Sequence, residues 1–340
     1  MNENLQVINC IFLLHILYLF SKQLITIMKL KNLLFAFAVL AAVGCTPSSE
    51  DPDTPPTPTP ETPDTPTEES SLQKYANDDE VKVMSFNVRL NTTEDNYRNE
   101  WYYRKEACVE LIKDQQPSVI GFQEAKYADQ WQYFVSELAE NYDGWGVDRD
   151  NGEENPKNGE VMGILYNKKT IKKIEGGTFW LSGTPDKVSK GWDGACNRTA
   201  TWGIFEHIAT GKKFCYINTH LDHKGAEAQK EGMKLIVERF KKYNPDGFVQ
   251  FLTGDLNIKA DNEALNVLKD YMENARTMAP KGKTDSNRTY NGFSTSGGSI
   301  IDHIYCTKGM QVVEYHTITE LYGTAEYVSD HYPIYAIIKM

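Results

Sequence analysis

The chain has 340 residues, with 36 Lys and Arg against 47 Asp and Glu, a formal net charge of −11 and six cysteines. The charge is uneven: residues 1–45 carry +2 and residues 46–80 carry −9, which leaves a mild −4 on residues 81–340 and argues against a tight nucleic-acid binder with a basic surface. No two cysteines stand in a CxxC or zinc-like spacing, which argues against a metal ribbon and leaves Cys108, Cys196, Cys215 and Cys306 to be read as free thiols, mostly buried.

In chain order, Met28-Lys-Leu-Lys31 is a short basic region, Leu33 to Val43 is an apolar run, and Gly44-Cys45 follows small residues. That pattern predicts a bacterial lipoprotein signal in which Cys45 becomes the lipidated first residue, although Ala42 stands where such signals usually carry Leu. Residues 1–27 place a second apolar stretch, Ile8 to Phe20, ahead of a complete signal, so Met28 is read as the true start. The alternative is a transmembrane anchor, for which roughly 20 apolar residues are needed; this stretch is 13 residues long. The expected location is outside the inner membrane, periplasmic or at the cell surface. Residues 46–80 are Pro, Thr, Ser, Asp and Glu with almost no apolar residue. They cannot bury a core and are read as an extended tether.

Residues 81–340 are enough for one α/β domain. Strand 81–87 precedes a helix at 101–115, where Ala107, Cys108, Leu111 and Ile112 fall at helical spacing and Pro117 stops the run. Strand 118–123 and a helix at about 128–139 complete a β-α-β-α opening. Strands follow at 160–167, 171–181, 199–208 and 212–219, the last two joined by an Ala-Thr-Gly-Lys turn. Ala226 to Tyr243 reads as an amphipathic helix with Met233, Leu235, Ile236, Val237 and Phe240 among charges. A strand at 247–252, a short helix at 263–271 and strands near 300–306, 311–318 and 332–339 close the chain.

Several of these strands end in polar residues. Thr253-Gly-Asp255-Leu-Asn257 offers a carboxylate and a carboxamide two residues apart, which in extended chain share one side. Asn87, Glu124, the pair His220 and Asp222, Asp302-His303 and Asp330-His331 stand at or beside other strand ends. Ligands collect where strand ends of an α/β sheet converge, so the set predicts one site. Its donors are hard oxygens, which suit Mg²⁺ or Mn²⁺ and not zinc.

In chain order, Ser-Phe-Asn87, Gln-Glu124, Asn-Thr-His220, Gly-Asp255-Leu-Asn257, Ile-Asp302-His303 and Ser-Asp330-His331 resemble the signature series of the endonuclease/exonuclease/phosphatase superfamily over residues 81–340. That group holds the DNase I-like nucleases, Mg-dependent sphingomyelinases, inositol polyphosphate 5-phosphatases and deadenylases. The resemblance implies a four-layer α-β-β-α sandwich with two packed mixed β-sheets, and a Mg²⁺- or Mn²⁺-dependent hydrolase of phosphoric esters. It implies Glu124 as main metal ligand with Asn87 and Asp330 close by. Asp255 and Asn257 would position or deprotonate water and hold the phosphate, and Asp302 would pair with His331. His220 would act from the opposite side of the phosphorus, supported by Glu160, and Arg198 would bind phosphate. Whether Asp255 or His331 is the base stays open. His207, His223, His303 and His316 are read as non-catalytic.

The segment Phe179-Trp180-Leu-Ser-Gly-Thr-Pro185, with Lys190-Gly-Trp192, reads as a loop over the site and resembles bacterial members near the deadenylase branch. A monomer acting on a phosphodiester of nucleic acid or a lipid head group is the leading expectation, with a phosphomonoester such as a sugar or inositol phosphate behind it. A reading of another class is a surface lipoprotein that binds a ligand without turnover. Loss of a signature residue would mark that case, and none of Glu124, His220, Asp255, Asn257, Asp302 or His331 is missing.

Overall fold

Every residue of the strand Glu80–Asn87 is buried, a state open to a strand only when both faces of its sheet are covered. The computed structural model describes residues 73–154 and 159–340, so the expected signal, Cys45 and the tether up to residue 72 lie outside the described residues. In chain order the elements are β1 (Glu80–Asn87), α1 (Trp101–Gln115), β2 (Val119–Gln123), β3 (Ala125–Lys126), α2 (Gln132–Glu137), β4 (Tyr142–Trp145), β5 (Glu160–Val161), β6 (Ile164–Asn167) and β7 (Ile171–Trp180). They continue with β8 (Thr199–His207), β9 (Lys213–His220), α3 (Ala226–Tyr243), β10 (Val249–Asp255), β11 (Met272–Asn274), α4 (Ala275–Met278), β12 (Asp302–Thr307), β13 (Val312–Thr317) and β14 (Ile334–Lys339). Ahead of β1, Gln73 N donates to Glu314 and Asp79 pairs with Lys339 at 3.1 Å.

Two six-stranded sheets result, in the orders β13-β14-β1-β2-β6-β4 and β11-β12-β10-β9-β8-β7. Each is mixed. β1 runs parallel to β2 and antiparallel to β14, and β10 runs parallel to β9 and antiparallel to β12. Strand alternation distributes the apolar residues into three layers. Val83, Val119 and Ala336 of the first sheet face Tyr216, Phe251 and Ile304 of the second in the middle layer. Met84 and Phe86 point outward to Leu111 and Ile112 of α1, while Ile217 and Leu252 meet Met233, Ile236 and Phe240 of α3. This is the expected α-β-β-α sandwich. No helix among the described residues is long and apolar enough to cross a membrane, and the four described cysteines are free, three of them buried.

The local differences have identifiable causes. The second helix begins as a π-helical turn, Tyr127–Trp131, before α2. The strand expected at 160–167 is interrupted after Val161, where a Cβ on Gly163 would lie 2.1 Å from the Trp131 ring. The 263–271 segment forms a 3₁₀ turn, Glu263–Leu268, capped by the Asn262 side chain. Beneath the site the sheets are joined by buried polar groups: Gln123 Nε2 donates to Asn218 Oδ1 at 2.7 Å, and Asn218 Nδ2 donates to the Phe122 carbonyl at 2.8 Å.

Candidate active site

The C-terminal ends of β1, β2, β9 and β10 and the entries to β12 and β14 converge on a cleft of about 590 Å³ that contains Glu124, His220, Asp255, Asn257, Asp330 and His331. A larger hollow of 1270 Å³ beside α2 and β7 brings together none of these strand-end groups. Three residues that follow site strands, Arg89, Glu124 and Asn257, hold φ values of 55°, 60° and 54°. Such left-handed conformations turn the chain sharply and, among residues other than glycine, are tolerated best by Asn and Asp.

Asp255 is the centre. Its Oδ2 accepts from Asn87 Nδ2 at 3.0 Å and lies 3.4 Å from His220 Nε2 and 3.6 Å from His331 Nε2. Its Oδ1 accepts from the Asn257 backbone at 2.9 Å. Asp255 and Asn257 thus meet through a tight Asx turn, not through the alternation of extended chain expected from their spacing. Burial pushes the Asp255 carboxyl up to about 7, with the neighbouring charges of Asp302 and Glu124 adding to the effect against His331. Burial also raises Asp330.

The two imidazoles are opposite in character. His331 Nδ1 is 2.8 Å from Asp302 Oδ2. Burial alone would favour its neutral form, but the charges of Asp302 and Asp255 prevail and hold its pKa well above the ordinary histidine value. His220 is pushed well below that value by burial and by Arg198 and Arg149, so it is neutral. Asn257 Nδ2, a donor, is 3.0 Å from His220 Nε2, which assigns that nitrogen as acceptor.

Glu124 and Asp255 place carboxylate oxygens within 4.8 Å of one another. Glu124 accepts from Asn87 Nδ2 at 3.0 Å and from the Leu90 backbone at 3.0 Å, and Asp330 is 3.8 Å from Arg89. A cluster of buried carboxylates, one of them shifted to about 7 by burial and like charge, fits a hard divalent cation. Asn87 is oriented differently from the expected ligand: its amide nitrogen faces the two carboxylates and its Oδ1 accepts from the Arg89 backbone.

Other expected residues are placed differently too. Glu160 grips Arg149 through two bonds of 2.7 Å, whereas His220 Nδ1 is buried with no hydrogen-bond partner, so the expected Glu160–His220 contact is not made. His223, set aside from sequence, bonds Arg198 Nη2 at 3.1 Å and lines the cleft. His303 is buried on the Ile258 carbonyl and His207 bonds Thr210, while half-buried His316 lies beside Glu320, and none of the three lines the cleft. The aromatic segment does not cover the cleft. Phe179 is buried in the core under α3, and Trp192 borders a separate hollow with Arg239. Trp180 acts indirectly, its indole donating to the Arg149 carbonyl at 2.7 Å.

Arg89, Arg149 and Tyr290 line the cleft without having been singled out from sequence. Arg89 stands two residues past a strand-end Asn and was within reach of the same argument. Arg149 and Tyr290 lie outside the named strands, where no periodicity points to them.

Residues 84–331 match the model of the Endonuclease/Exonuclease/phosphatase family. The chain belongs to this family. Among solved structures, it is similar to an endonuclease/exonuclease/phosphatase from Bacteroides vulgatus, at 31% identity and a TM-score of 0.70 over 77% of this chain and 99% of that one. It is similar also to a Bacteroides thetaiotaomicron mannosyl-6-phosphatase, at 28% identity and a TM-score of 0.69 over 76% of this chain and all (100%) of that one. The human Nocturnin catalytic domain with bound sulfate shares the fold at 18% identity and a TM-score of 0.59, over 78% of this chain and 96% of that domain. As an endonuclease/exonuclease/phosphatase family member the protein is a phosphoester hydrolase of a divalent-metal-dependent class.

Proposed function

We propose that the protein is a Mg²⁺-dependent hydrolase, active also with Mn²⁺, that removes phosphate from a carbohydrate phosphate ester. One observation carries the reading: a single cleft gathers the carboxylates Glu124, Asp255 and Asp330 together with the guanidinium and imidazole groups of Arg149, Arg198 and His220. Glu124 and Asp330 would hold the cation, with Asn87 beside them. When bound, the ion neutralises phosphoryl charge and assists departure of the leaving oxygen. Asp255, with a carboxyl near 7, is suited to accept the proton of the attacking water. His331, kept protonated by Asp302, is suited to donate to a phosphate oxygen and not to act as base. Asn257 and Arg198 orient the phosphate, and neutral His220 lies beside them.

The likeness to a mannosyl-6-phosphatase supports a sugar phosphate, and the mild −4 on residues 81–340 argues against nucleic acid. The test is release of inorganic phosphate from hexose 6-phosphates, with EDTA and with Mg²⁺ restored. Turnover should vanish on chelation and return with metal. Full turnover after exhaustive chelation would remove the metal from the proposal, and inertness toward every sugar phosphate would remove the substrate.

The proposal includes an address at the membrane through a lipid on Cys45. Labelling with lipid precursor should depend on Cys45, and Cys45→Ser should yield soluble protein with hydrolysis intact. If that variant stays membrane-bound, residues 8–20 and not Cys45 form the anchor.

A further inference from the structure

Four buried nitrogens on side chains of the cleft have no hydrogen-bond partner among the described residues: Arg149 Nε, Arg198 Nε, Arg198 Nη1 and His220 Nδ1. Arg198 is 6% exposed and His220 is 4% exposed. Unmade bonds on buried donors are rare in folded proteins, and a cluster of them on two guanidinium groups calls for an acceptor. The neighbouring acids do not fill that part. Asp222 lies 3.8 Å from Arg198 Nε, and its oxygens already accept from the backbones of Ala195, Lys224 and Gly225. Asp150 is 3.8 Å from Arg149 Nε.

Both guanidinium groups are held in place without using those donors. Arg149 is fixed by its parallel bonds to Glu160, and Arg198 by its contact with His223. The chain therefore presents, in the cleft that also holds His220, two preformed guanidinium groups with donors to spare. Its chemistry matches a small anion with several acceptor oxygens and more than one charge, the target for which arginine forks are best shaped.

We propose that Arg149 and Arg198 receive the third non-bridging oxygen and the second negative charge of a phosphomonoester, and so select terminal phosphates over phosphodiesters. The proposal rests on the phosphoester-hydrolase reading above and deepens it. A phosphomonoester offers three non-bridging oxygens, and the metal and His331 side of the cleft engages only part of them. A diester has two such oxygens and one charge. In place of the third it carries an esterified oxygen and its carbon substituent, which leaves the buried guanidinium donors unpaired. Rejection by unpaired buried polar groups is a strong form of selectivity.

The test uses the Mg²⁺-loaded full chain with hexose 6-phosphate as monoester and bis(4-nitrophenyl) phosphate as diester. Arg149→Met should lower the monoester-to-diester ratio of kcat/KM by about 10- to 100-fold, the range of one or two charge-assisted hydrogen bonds. Arg149→Met combined with Glu160→Gln removes the ion pair as a unit, so that no buried carboxylate is left alone, and should show the same fall. Arg149→Lys, which keeps charge but loses the fork, should recover only part of it.

Calorimetry with inorganic phosphate at pH 8 gives a readout free of turnover. Phosphate should bind wild type at least tenfold more tightly than dimethyl phosphate does, and that preference should shrink in both Met variants. An unchanged ester ratio, or equal losses on both esters with phosphate binding intact, would overturn the proposal. Arg149-dependent phosphate binding by a wild type that hydrolyses neither ester would instead defeat the hydrolase reading and leave the receptor standing.

Discussion

A single carboxylate, Asp255, touches both halves of the cleft, taking a bond from Asn87 of the first sheet and facing His220 of the second. The residues around it divide by what a substitution removes. Glu124→Gln deletes charge from the proposed cation site while roughly preserving shape, so the lost activity should be partly regained at higher Mg²⁺. His220→Ala and His331→Ala leave the carboxylates in place and should each lose about 10²- to 10⁴-fold, the usual contribution of an acid–base group. Added metal should not help them. Since both act in one transition state, the double variant should lose less than the product of the single losses. Metal titration of kcat for the four variants checks this, and rescue of the histidine variants but not of Glu124→Gln would refute it. At this scale the gathering of Glu124, His220, Asp255 and Asp302 in one place was legible because polar residues stand at or beside the ends of apolar strands, whereas the orientation of Asn87 was not. Arg149 was not, since its place comes from a loop and from a partner, Glu160, that the sequence assigned to His220.

Among the elements, β2 has a narrow tolerance. It is flanked by β1 and β6 and carries Glu124 immediately past its end. A Cβ on Gly121 would lie 2.2 Å from Asn218 Oδ1 and 2.5 Å from Thr253 Oγ1 of the opposite sheet. Gly121→Ala should therefore push the sheets apart or displace the Asn218 network. Overpacking of this kind costs about 1–3 kcal/mol, read as a lower urea midpoint, and kcat should fall with it because Glu124 is three residues away. A midpoint equal to wild type would show that the layer is looser than its packing implies. The central strands were readable from long apolar runs. β4 (Tyr142–Trp145) and β11 (Met272–Asn274) were not, being short and partly polar, and their place is set by pairing with β6 and β12.

For the molecule as a whole, Lys82 links stability to pH. It lies fully buried in β1, donating to Gln115 Oε1 at 2.7 Å with its ammonium 3.7 Å from the centre of the Tyr335 ring. Burial lowers its pKa from 10.5 to about 7, against the opposing charge of Glu314. Between those limits the unfolded chain holds a proton that the folded chain has released, so raising the pH stabilises the fold. Below about 7 both states are protonated and the cost is at its full value. Relative to Lys82→Met, wild type should thus gain up to about 1.4 kcal/mol per pH unit between 7 and 10. Parallel urea curves across that range test it, and a constant difference would refute it. The order of strands and helices was legible from apolar runs and the four-layer fold only through the family resemblance, whereas nothing in the strand's pattern marked Lys82 as buried.

Glu124 and Asp330, proposed for the cation, belong to connections of the first sheet, while His220, Asp255 and Asp302 belong to the second. Neither sheet alone owns a working centre. On the proposed roles, a partly assembled chain with only the first sheet formed would gather metal and cleave nothing, and competence would come only with final docking. Activity thereby serves as a gauge of how the two sheets are seated, and substitutions in the middle apolar layer, far from any phosphate, should dim turnover before they unfold the protein.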